Sequence, residues 1–137
     1  MDTISKLKEL NLPAGQYAVI GSGTLAVRGI REARDLDIVA LPSVFAELKK
    51  RGGWKRKWFF RGLLTRKAIQ KSGVEIFSNY HCKNFKPATE DIIARADSIQ
   101  GFPFVSLPDF VSFKRELGRE KDQKDIVLIE KYMAARK

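Results

Sequence analysis

Two short polar motifs in the N-terminal third of this 137-residue chain contain residue types that could bind and transfer phosphate groups. The first motif is Gly21-Ser22-Gly23, which directly follows the apolar run Tyr17–Ile20. A strand that ends in glycine and serine and continues as a helix presents unpaired backbone N–H groups and a hydroxyl to a phosphate. The glycines allow a ligand to approach the main chain closely. The motif therefore predicts a phosphate-binding turn.

The second motif is the acid pair Asp35 and Asp37, with Leu36 between them. On a strand, residues two apart project from the same face, which places the two carboxylates about 7 Å apart. Like charges at that distance repel each other unless a cation lies between them. Mg²⁺ is commonly bound by one or two carboxylates together with substrate phosphates. A phosphate-binding turn followed by a metal-binding acid pair predicts phosphoryl or nucleotidyl transfer.

The spacing of the two motifs resembles the signature of the DNA polymerase beta-like nucleotidyltransferase superfamily. It is most similar to the small bacterial nucleotidyltransferases of abortive-infection and toxin–antitoxin systems. Twelve residues separate Ile20-Gly21-Ser22 from Asp35-Leu36-Asp37-Ile38, and the basic run Arg31-Glu32-Ala33-Arg34 precedes the acids. Lys114, followed by Gly118-Arg119-Glu120-Lys121-Asp122-Gln123-Lys124-Asp125, is similar to the closing pattern of these proteins. The resemblance covers most of residues 15–130.

This resemblance implies a mixed β-sheet flanked by helices, a divalent metal (Mg²⁺ or Mn²⁺), and transfer of a nucleotide from an NTP. Carried over to this sequence, Gly21 and Ser22 bind the triphosphate, while Asp35 and Asp37 bind the metal. Glu75 matches the third carboxylate, at a position that is more commonly aspartate. It would share in metal binding and help to deprotonate the acceptor hydroxyl. Lys114 is a candidate phosphate contact, and the acids that follow Lys121 are interpreted as helix-end pairing.

The formal charge of +10 comes entirely from residues 49–71, which hold ten basic residues and no acid. Outside that segment the chain carries sixteen residues of each sign. Cations at this density repel one another, and a polyanion would relieve the repulsion, so RNA such as tRNA is a predicted acceptor or ligand. The segment lies between the aspartates and Glu75 in sequence, and it is predicted to form one wall of the active site. The residues predicted to steer phosphate or nucleic acid are Lys55, Arg56, Lys57, Arg61, Arg66 and Lys67.

Two other interpretations of these motifs are open. Gly21-Ser22-Gly23-Thr24-Leu25-Ala26 also satisfies the Gly-x-Gly-x-x-Ala pattern of dinucleotide-binding folds. Against it, two acids follow where a ribose needs one, and no regular alternation of strands and helices comes after them. Alternatively, the fold could have lost catalysis and act as a module that binds nucleic acid or a partner protein, as one half of a toxin–antitoxin pair.

Composition and hydrophobic patterning predict one cytoplasmic α/β (α+β) domain over residues 1–137, with helices at its C-terminus. A hydrophobic content of 44% is enough for a core and argues against disorder. No apolar run reaches the ~20 residues of a membrane span, and one cysteine cannot form an internal disulfide. Periodicity predicts helices over 3–10, 24–29, 42–50, 88–96, 107–117 and 121–135, and extended segments over 17–20, 36–41, 73–77, 102–105 and within the basic segment.

Overall fold

The chain forms six helices and seven strands in the part that the structure describes. The computed structural model describes residues 2–61 and 64–136, and the side chains of all of these except 58–61 and 64–66. The helices are α1 (Thr3–Leu10), α2 (Ser22–Ala26), α3 (Pro42–Arg51), α4 (Thr89–Ala94), α5 (Leu107–Leu117) and α6 (Glu120–Ala135). The strands are β1 (Tyr17–Ile20), β2 (Leu36–Ala40), β3 (Lys55–Arg61), β4 (Leu64–Lys71), β5 (Val74–Phe77), β6 (Asp97–Ile99) and β7 (Phe102–Phe104). Among the described helices, none has the length and apolar character needed to cross a bilayer.

All seven strands belong to one mixed sheet with the order β3-β4-β5-β2-β1-β7-β6. The pairs β2–β5 and β1–β7 are parallel, and the other neighbours are antiparallel. This mixed sheet with flanking and C-terminal helices confirms the predicted fold class. It also excludes the dinucleotide-binding interpretation, because that fold requires β1 and β2 to be parallel whereas here they are antiparallel.

Strand alternation gives the sheet two apolar faces, each covered by helices. On one face, here called the front face, buried residues such as Ile20, Val39 and Phe77 pack with residues of α4, α5 and α6. On the opposite or back face, Val19 and Ile38 pack with residues of α1 and α3. Because successive side chains of a strand point to opposite sides, both sets come from the same short runs of sequence.

Most element boundaries follow from local signals in the sequence. Helix α5 begins after Ser106, whose hydroxyl accepts a hydrogen bond from the Asp109 N–H (3.3 Å), and it ends at Gly118, whose φ is 65°. Helix α2 starts two residues earlier than predicted, because Gly21 with φ 68° turns the chain directly out of β1. Strand β6 was not predicted, because it is only three residues long and begins with two exposed polar residues, so it has no alternating apolar pattern.

Candidate functional site

One cavity on the front face brings together all the residues that the sequence predicts for metal and nucleotide binding. The cavity has a volume of ≈ 320 Å³ and lies between the sheet and helices α5 and α6. Strands β1, β2 and β5 are neighbours in the sheet and α5 covers them, so residues as far apart in the chain as Gly21 and Lys114 meet there. The predicted residues that line it are Gly21, Ser22, Asp35, Asp37, Glu75 and Lys114.

The three acids of the cavity come from two neighbouring parallel strands. Asp37 on β2 is the register partner of Glu75 on β5, so the two side chains leave adjacent backbones on the same face. Asp35 precedes β2 by one residue and is exposed, and it makes no hydrogen bond or ion pair with any described residue. Because residues directly opposite each other in a sheet are close, Asp37 and Glu75 repel when both are ionised. The arrangement is one that a cation would stabilise.

Gly21 is the residue that allows β1 to pass close to this acid group. Its φ of 68° and ψ of −156° lie in a region that is almost restricted to glycine. A Cβ at this position would lie only 2.8 Å from Asp37 Oδ2. Ser22 follows as the first residue of α2, and its hydroxyl makes no hydrogen bond to a described residue. The turn therefore presents main chain and a hydroxyl directly beside a carboxylate.

Replacing Gly21 with alanine is expected to lower the free energy of unfolding by about 2 kcal/mol and to abolish the nucleotide binding that the sequence predicts, because it adds backbone strain and a clash with Asp37. Urea unfolding and titration with a labelled NTP measure the two effects. Gly29→Ala is the matched control, since Gly29 also has a positive φ (72°) but has nothing within 4 Å of the added Cβ. Equal effects of the two substitutions on nucleotide binding would contradict this role of Gly21.

Opposite the acids, the cavity wall contains cationic side chains that are held in place by two buried aspartates of α6. Lys114 Nζ lies 3.0 Å from Asp122 Oδ1 and 2.9 Å from Asp125 Oδ2. Arg31 forms a two-bond pair with Asp125 (2.9 Å for each bond), and Arg119 forms one with Asp122 (2.7 and 3.1 Å). Three cations share two carboxylates, so a net positive charge remains at this wall.

The ionisation of this wall is set by its hydrogen bonds. Burial acts to raise the pKa of Asp122, but hydrogen bonds from Arg119 and Lys114 outweigh it and hold the pKa below its ordinary value of 3.8. The same balance, with Arg31 and Lys114 as donors, lowers the pKa of Asp125. Hydrogen bonds to these carboxylates raise the pKa of Arg31 and of Arg119. The two aspartates and the two arginines are therefore charged at neutral pH.

The sequence interpretation of Asp122 and Asp125 as helix-end pairs is incomplete. Asp122 does cap α6, since its Oδ2 accepts a hydrogen bond from the Arg119 N–H (3.2 Å). It also contacts Lys114 on α5, and Asp125 contacts Arg31 in the loop before β2. These contacts connect α6 to two other parts of the cavity wall, and they orient the cations that line it.

The cavity also has an aromatic wall that sequence reasoning missed. Tyr80, Phe110 and Phe113 line it, and the rings of Tyr80 and Phe113 are stacked with centroids 4.2 Å apart at an interplanar angle of 7°. All three side chains are buried in the front-face core, so they border the cavity as apolar packing beneath it. Phe110 and Phe113 look like ordinary core positions of α5, and Tyr80 belongs to no motif, so nothing local in the sequence identified them.

Two lysines of the predicted steering set lie on the front face beside the acids. Lys57 Nζ is 3.5 Å from Glu75 Oε1. Lys55 lines a second front-face cavity of ≈ 540 Å³, which shares Asp35 and Glu75 with the first. Lys55 makes no hydrogen bond or ion pair within the described part of the chain. The basic hairpin β3–β4 therefore does border the acid group, through these two residues.

The other members of the steering set do not join them. Arg56 and Lys67 lie on the back face, where they line a third cavity that contains neither the aspartates nor Glu75. Strand alternation is the reason, because Arg56 lies between Lys55 and Lys57 and must point the opposite way. The side chains of Arg61 and Arg66 lie outside the described part of the structure.

The donor chemistry of the acid group fits a hard divalent cation, although the acids do not form a closed ligand set. Among the described residues, no three His, Cys, Asp or Glu side chains converge closely enough to hold a metal by themselves. Mg²⁺ needs only one or two protein carboxylates when substrate phosphates supply the remaining oxygens. Asp35 and Asp37 are the residues that would hold it, since both line the cavity that Gly21 and Ser22 also line.

Comparison with known proteins gives no relative of this chain: no family model matches it, and no characterised protein or solved structure does so either. The features that bear on function are therefore the groups of the front-face cavity. Carboxylates on β2 and β5 face cations held by α6, with a glycine turn and an aromatic wall completing the enclosure.

Proposed function

We propose that this chain is a metal-dependent nucleotidyltransferase of the DNA polymerase beta-like superfamily, acting in the cytoplasm. The observation that carries the proposal is the single cavity lined by the acids Asp35, Asp37 and Glu75 and by cations anchored by α6, with the Gly21-Ser22 turn beside Asp37. A triphosphate–metal complex needs both kinds of group within a few ångströms of each other. The motif spacing described in the sequence supports the same function.

Each group has a role in that reaction. Asp35 and Asp37 would hold Mg²⁺ or Mn²⁺, which would supply neutralisation of phosphate charge and activation of the acceptor hydroxyl. Gly21 and Ser22 contact the triphosphate through main chain and hydroxyl. Lys114 and the arginine pair offset the charge that develops on the departing pyrophosphate. Lys114 is oriented for this by the two carboxylates that contact it.

The bond changes follow from this placement. The acceptor hydroxyl oxygen forms a bond to the α-phosphorus of the NTP, the bond from that phosphorus to the bridging oxygen breaks, and pyrophosphate leaves. Glu75 accepts the proton that the hydroxyl loses. Glu75 and Asp35 also line the adjoining 540 Å³ cavity, so that cavity is the proposed approach route of the acceptor. Lys55 in its wall favours an RNA acceptor such as tRNA over a neutral small molecule or protein hydroxyl.

A second candidate function is a catalytically inactive module of the same fold that binds nucleic acid or a partner protein, of the toxin–antitoxin type. Two observations favour it. No closed three-carboxylate metal group exists among the described residues, and Glu75 is already paired with Lys57. In this case the acids would stabilise the cationic hairpin, and the cavity would bind a nucleotide or nothing at all.

Incubation of the full chain with each labelled NTP, Mg²⁺ or Mn²⁺, and total RNA or total protein separates the two functions. The proposed enzyme is expected to transfer label to an acceptor only when the divalent metal is present. Chelation of the metal is the control. Absence of transfer with every NTP and acceptor, together with salt-sensitive RNA binding, would support the inactive module.

A further inference from the structure

We propose that the back face of the sheet carries a second binding site, for a single-stranded polynucleotide, in the groove between α3 and the β3–β4 hairpin. The groove has a volume of ≈ 530 Å³. Its floor is apolar and includes Pro42, Phe45 and Ile69, and its cationic side chains include Arg56 and Lys67. None of the described residues that line the groove is acidic. Lys57, which pairs with Glu75, also lines the groove, but Gly21, Ser22, Asp35, Asp37, Glu75 and Lys114 do not, so the groove is a site distinct from the front-face cavity.

The combination of an apolar floor that contains the Phe45 ring with cationic side chains at its rim identifies the class of ligand. Proteins that bind single strands place bases against aromatic rings and phosphates against cations in a positively charged groove. Phe45 is half-buried on α3 and borders the groove, while Arg56 is exposed and makes no hydrogen bond or ion pair with a described residue. A guanidinium can bind a phosphate through two parallel hydrogen bonds.

Charge complementarity favours a polyanion over an apolar partner. The whole formal charge of +10 comes from residues 49–71, which end α3 and form the hairpin, and that run contains no acid. The front-face members of this set face Asp35 and Glu75, so part of their charge is offset locally. None of the described residues that line the back-face groove is an acid, and Arg56 there makes no hydrogen bond or ion pair with a described residue, so its charge is available to a ligand in the groove.

The position of the groove favours a single strand over a duplex. Strand β3 lies at the end of the sheet, so the back-face groove and the front-face cavity lie on opposite sides of the same two strands. A flexible strand can pass around β3 and reach both sites, whereas a stiff duplex cannot bend so sharply. An RNA acceptor held in the groove would then be able to present its end to the front face.

The test measures binding without NTP or divalent metal, so its outcome does not depend on nucleotide transfer. The probes are fluorescein-labelled single-stranded RNA and DNA of about 12 nucleotides, within the range that such grooves bind, and the corresponding RNA duplex. Fluorescence anisotropy gives the dissociation constants over a series of salt concentrations. Arg56→Glu with Lys67→Glu is compared with Lys49→Glu with Lys50→Glu, which changes the net charge of the same basic segment equally on the exposed end of α3.

The groove variant is expected to lose at least about tenfold more single-strand affinity than the control pair, and its log–log salt slope should fall by about two. Phe45→Leu keeps an apolar side chain in the core but removes the ring, and it is expected to weaken single-strand binding about fivefold with little effect on the duplex. Equal dissociation constants for the RNA and DNA strands would indicate that the groove recognises bases and phosphates. Tighter binding of the RNA strand would indicate additional contacts to the 2′-hydroxyl.

Equal losses in the two charge variants would overturn the proposal, because they would show that net charge and not the groove determines binding. Duplex binding as tight as single-strand binding would overturn it as well. A polyglutamate peptide that displaces the oligonucleotide at equal charge would show that an acidic protein segment is the better occupant. Arg56 and Lys67 are exposed, so their substitution tests the groove even if Phe45→Leu lowers the melting temperature.

Discussion

Replacing Asp37 with asparagine is expected to reduce nucleotide transfer by about a thousandfold or more. The substitution keeps the size of the side chain but removes the charge that the proposed metal requires, and a metal ion contributes several kcal/mol to such a transition state. Asp37 occupies the centre of the arrangement, since it is the register partner of both Ile20, next to the Gly21 turn, and Glu75. Single-turnover assays with a labelled NTP measure the rate of the transfer step.

The same substitution, Asp37→Asn, is not expected to lower the thermal stability of the protein. Asp37 and Glu75 lie side by side on parallel strands, and removal of one of two like charges relieves repulsion. The melting temperature of Asp37→Asn should therefore stay the same or rise slightly, as is common where a site is arranged for function at the cost of stability. Asp91→Asn in the first turn of α4 removes one exposed charge elsewhere, so it should leave the transfer rate unchanged and lower the melting temperature slightly. Transfer that persists within about threefold in Asp37→Asn would argue that this carboxylate holds no metal.

Replacing Asp122 with alanine is expected to destabilise the fold by about 3 kcal/mol. Removal of one partner from a buried ion pair leaves the other charge uncompensated, and this commonly costs 3–5 kcal/mol. The side chain of Asp122 is fully buried and contacts both Lys114 and Arg119, besides capping α6. The value is at the lower end of that range because Arg119 reaches solvent and Lys114 keeps its contact with Asp125. Urea unfolding followed by circular dichroism measures the change.

Glu120→Ala is the matched control, since it removes an acid from the same first turn of α6. Its carboxylate is exposed and lies 3.8 Å from Lys124, and an exposed pair of this kind contributes at most about 0.5 kcal/mol. Asp122→Asn separates charge from capping, because the amide oxygen still accepts the Arg119 N–H. A loss in Asp122→Ala no larger than in Glu120→Ala would show that the cluster does not hold α5 and α6 together.

The acid dependence of stability provides a second readout of the same cluster. The pKa values of Asp122 and Asp125 are lowered in the folded state, so the unfolded chain takes up protons first as the pH falls. Their contribution is therefore fully present above their ordinary value of 3.8 and is lost as the pH falls below it. Asp122→Asn should lose less stability than the natural chain between pH 5 and pH 3, while both lose the part that comes from Asp125.

Much of the fold and of the site was predictable because the signals are local. The strand Tyr17–Ile20 is a continuous apolar run, α5 is bounded by Ser106 and Gly118, and both are found as predicted. The predicted metal and nucleotide residues do line a single cavity. The motif spacing was sufficient to predict that Gly21, Ser22, Asp35 and Asp37 lie together, because it reflects how β1, α2 and β2 are joined.

The sequence did not reveal which residues lie opposite one another across the fold. Arg31 and Asp125 are 94 positions apart, and their two-bond contact exists only because α6 packs against the loop before β2. The aromatic wall depends in the same way on the packing of Tyr80 against Phe113. Such contacts follow from long-range packing, which single-sequence periodicity does not contain.

The sequence by itself determined the residue types and the spacing of the Gly-Ser and Asp-Leu-Asp motifs, and it concentrated the whole net charge between residues 49 and 71. Only the tertiary structure decided how that charge is divided. Lys55 and Lys57 border the acids on the front face, and Arg56 lines the groove on the back face. The physical reason is the two-residue period of a strand, which sends neighbouring cations to opposite sides once β3 takes its place at the edge of the sheet.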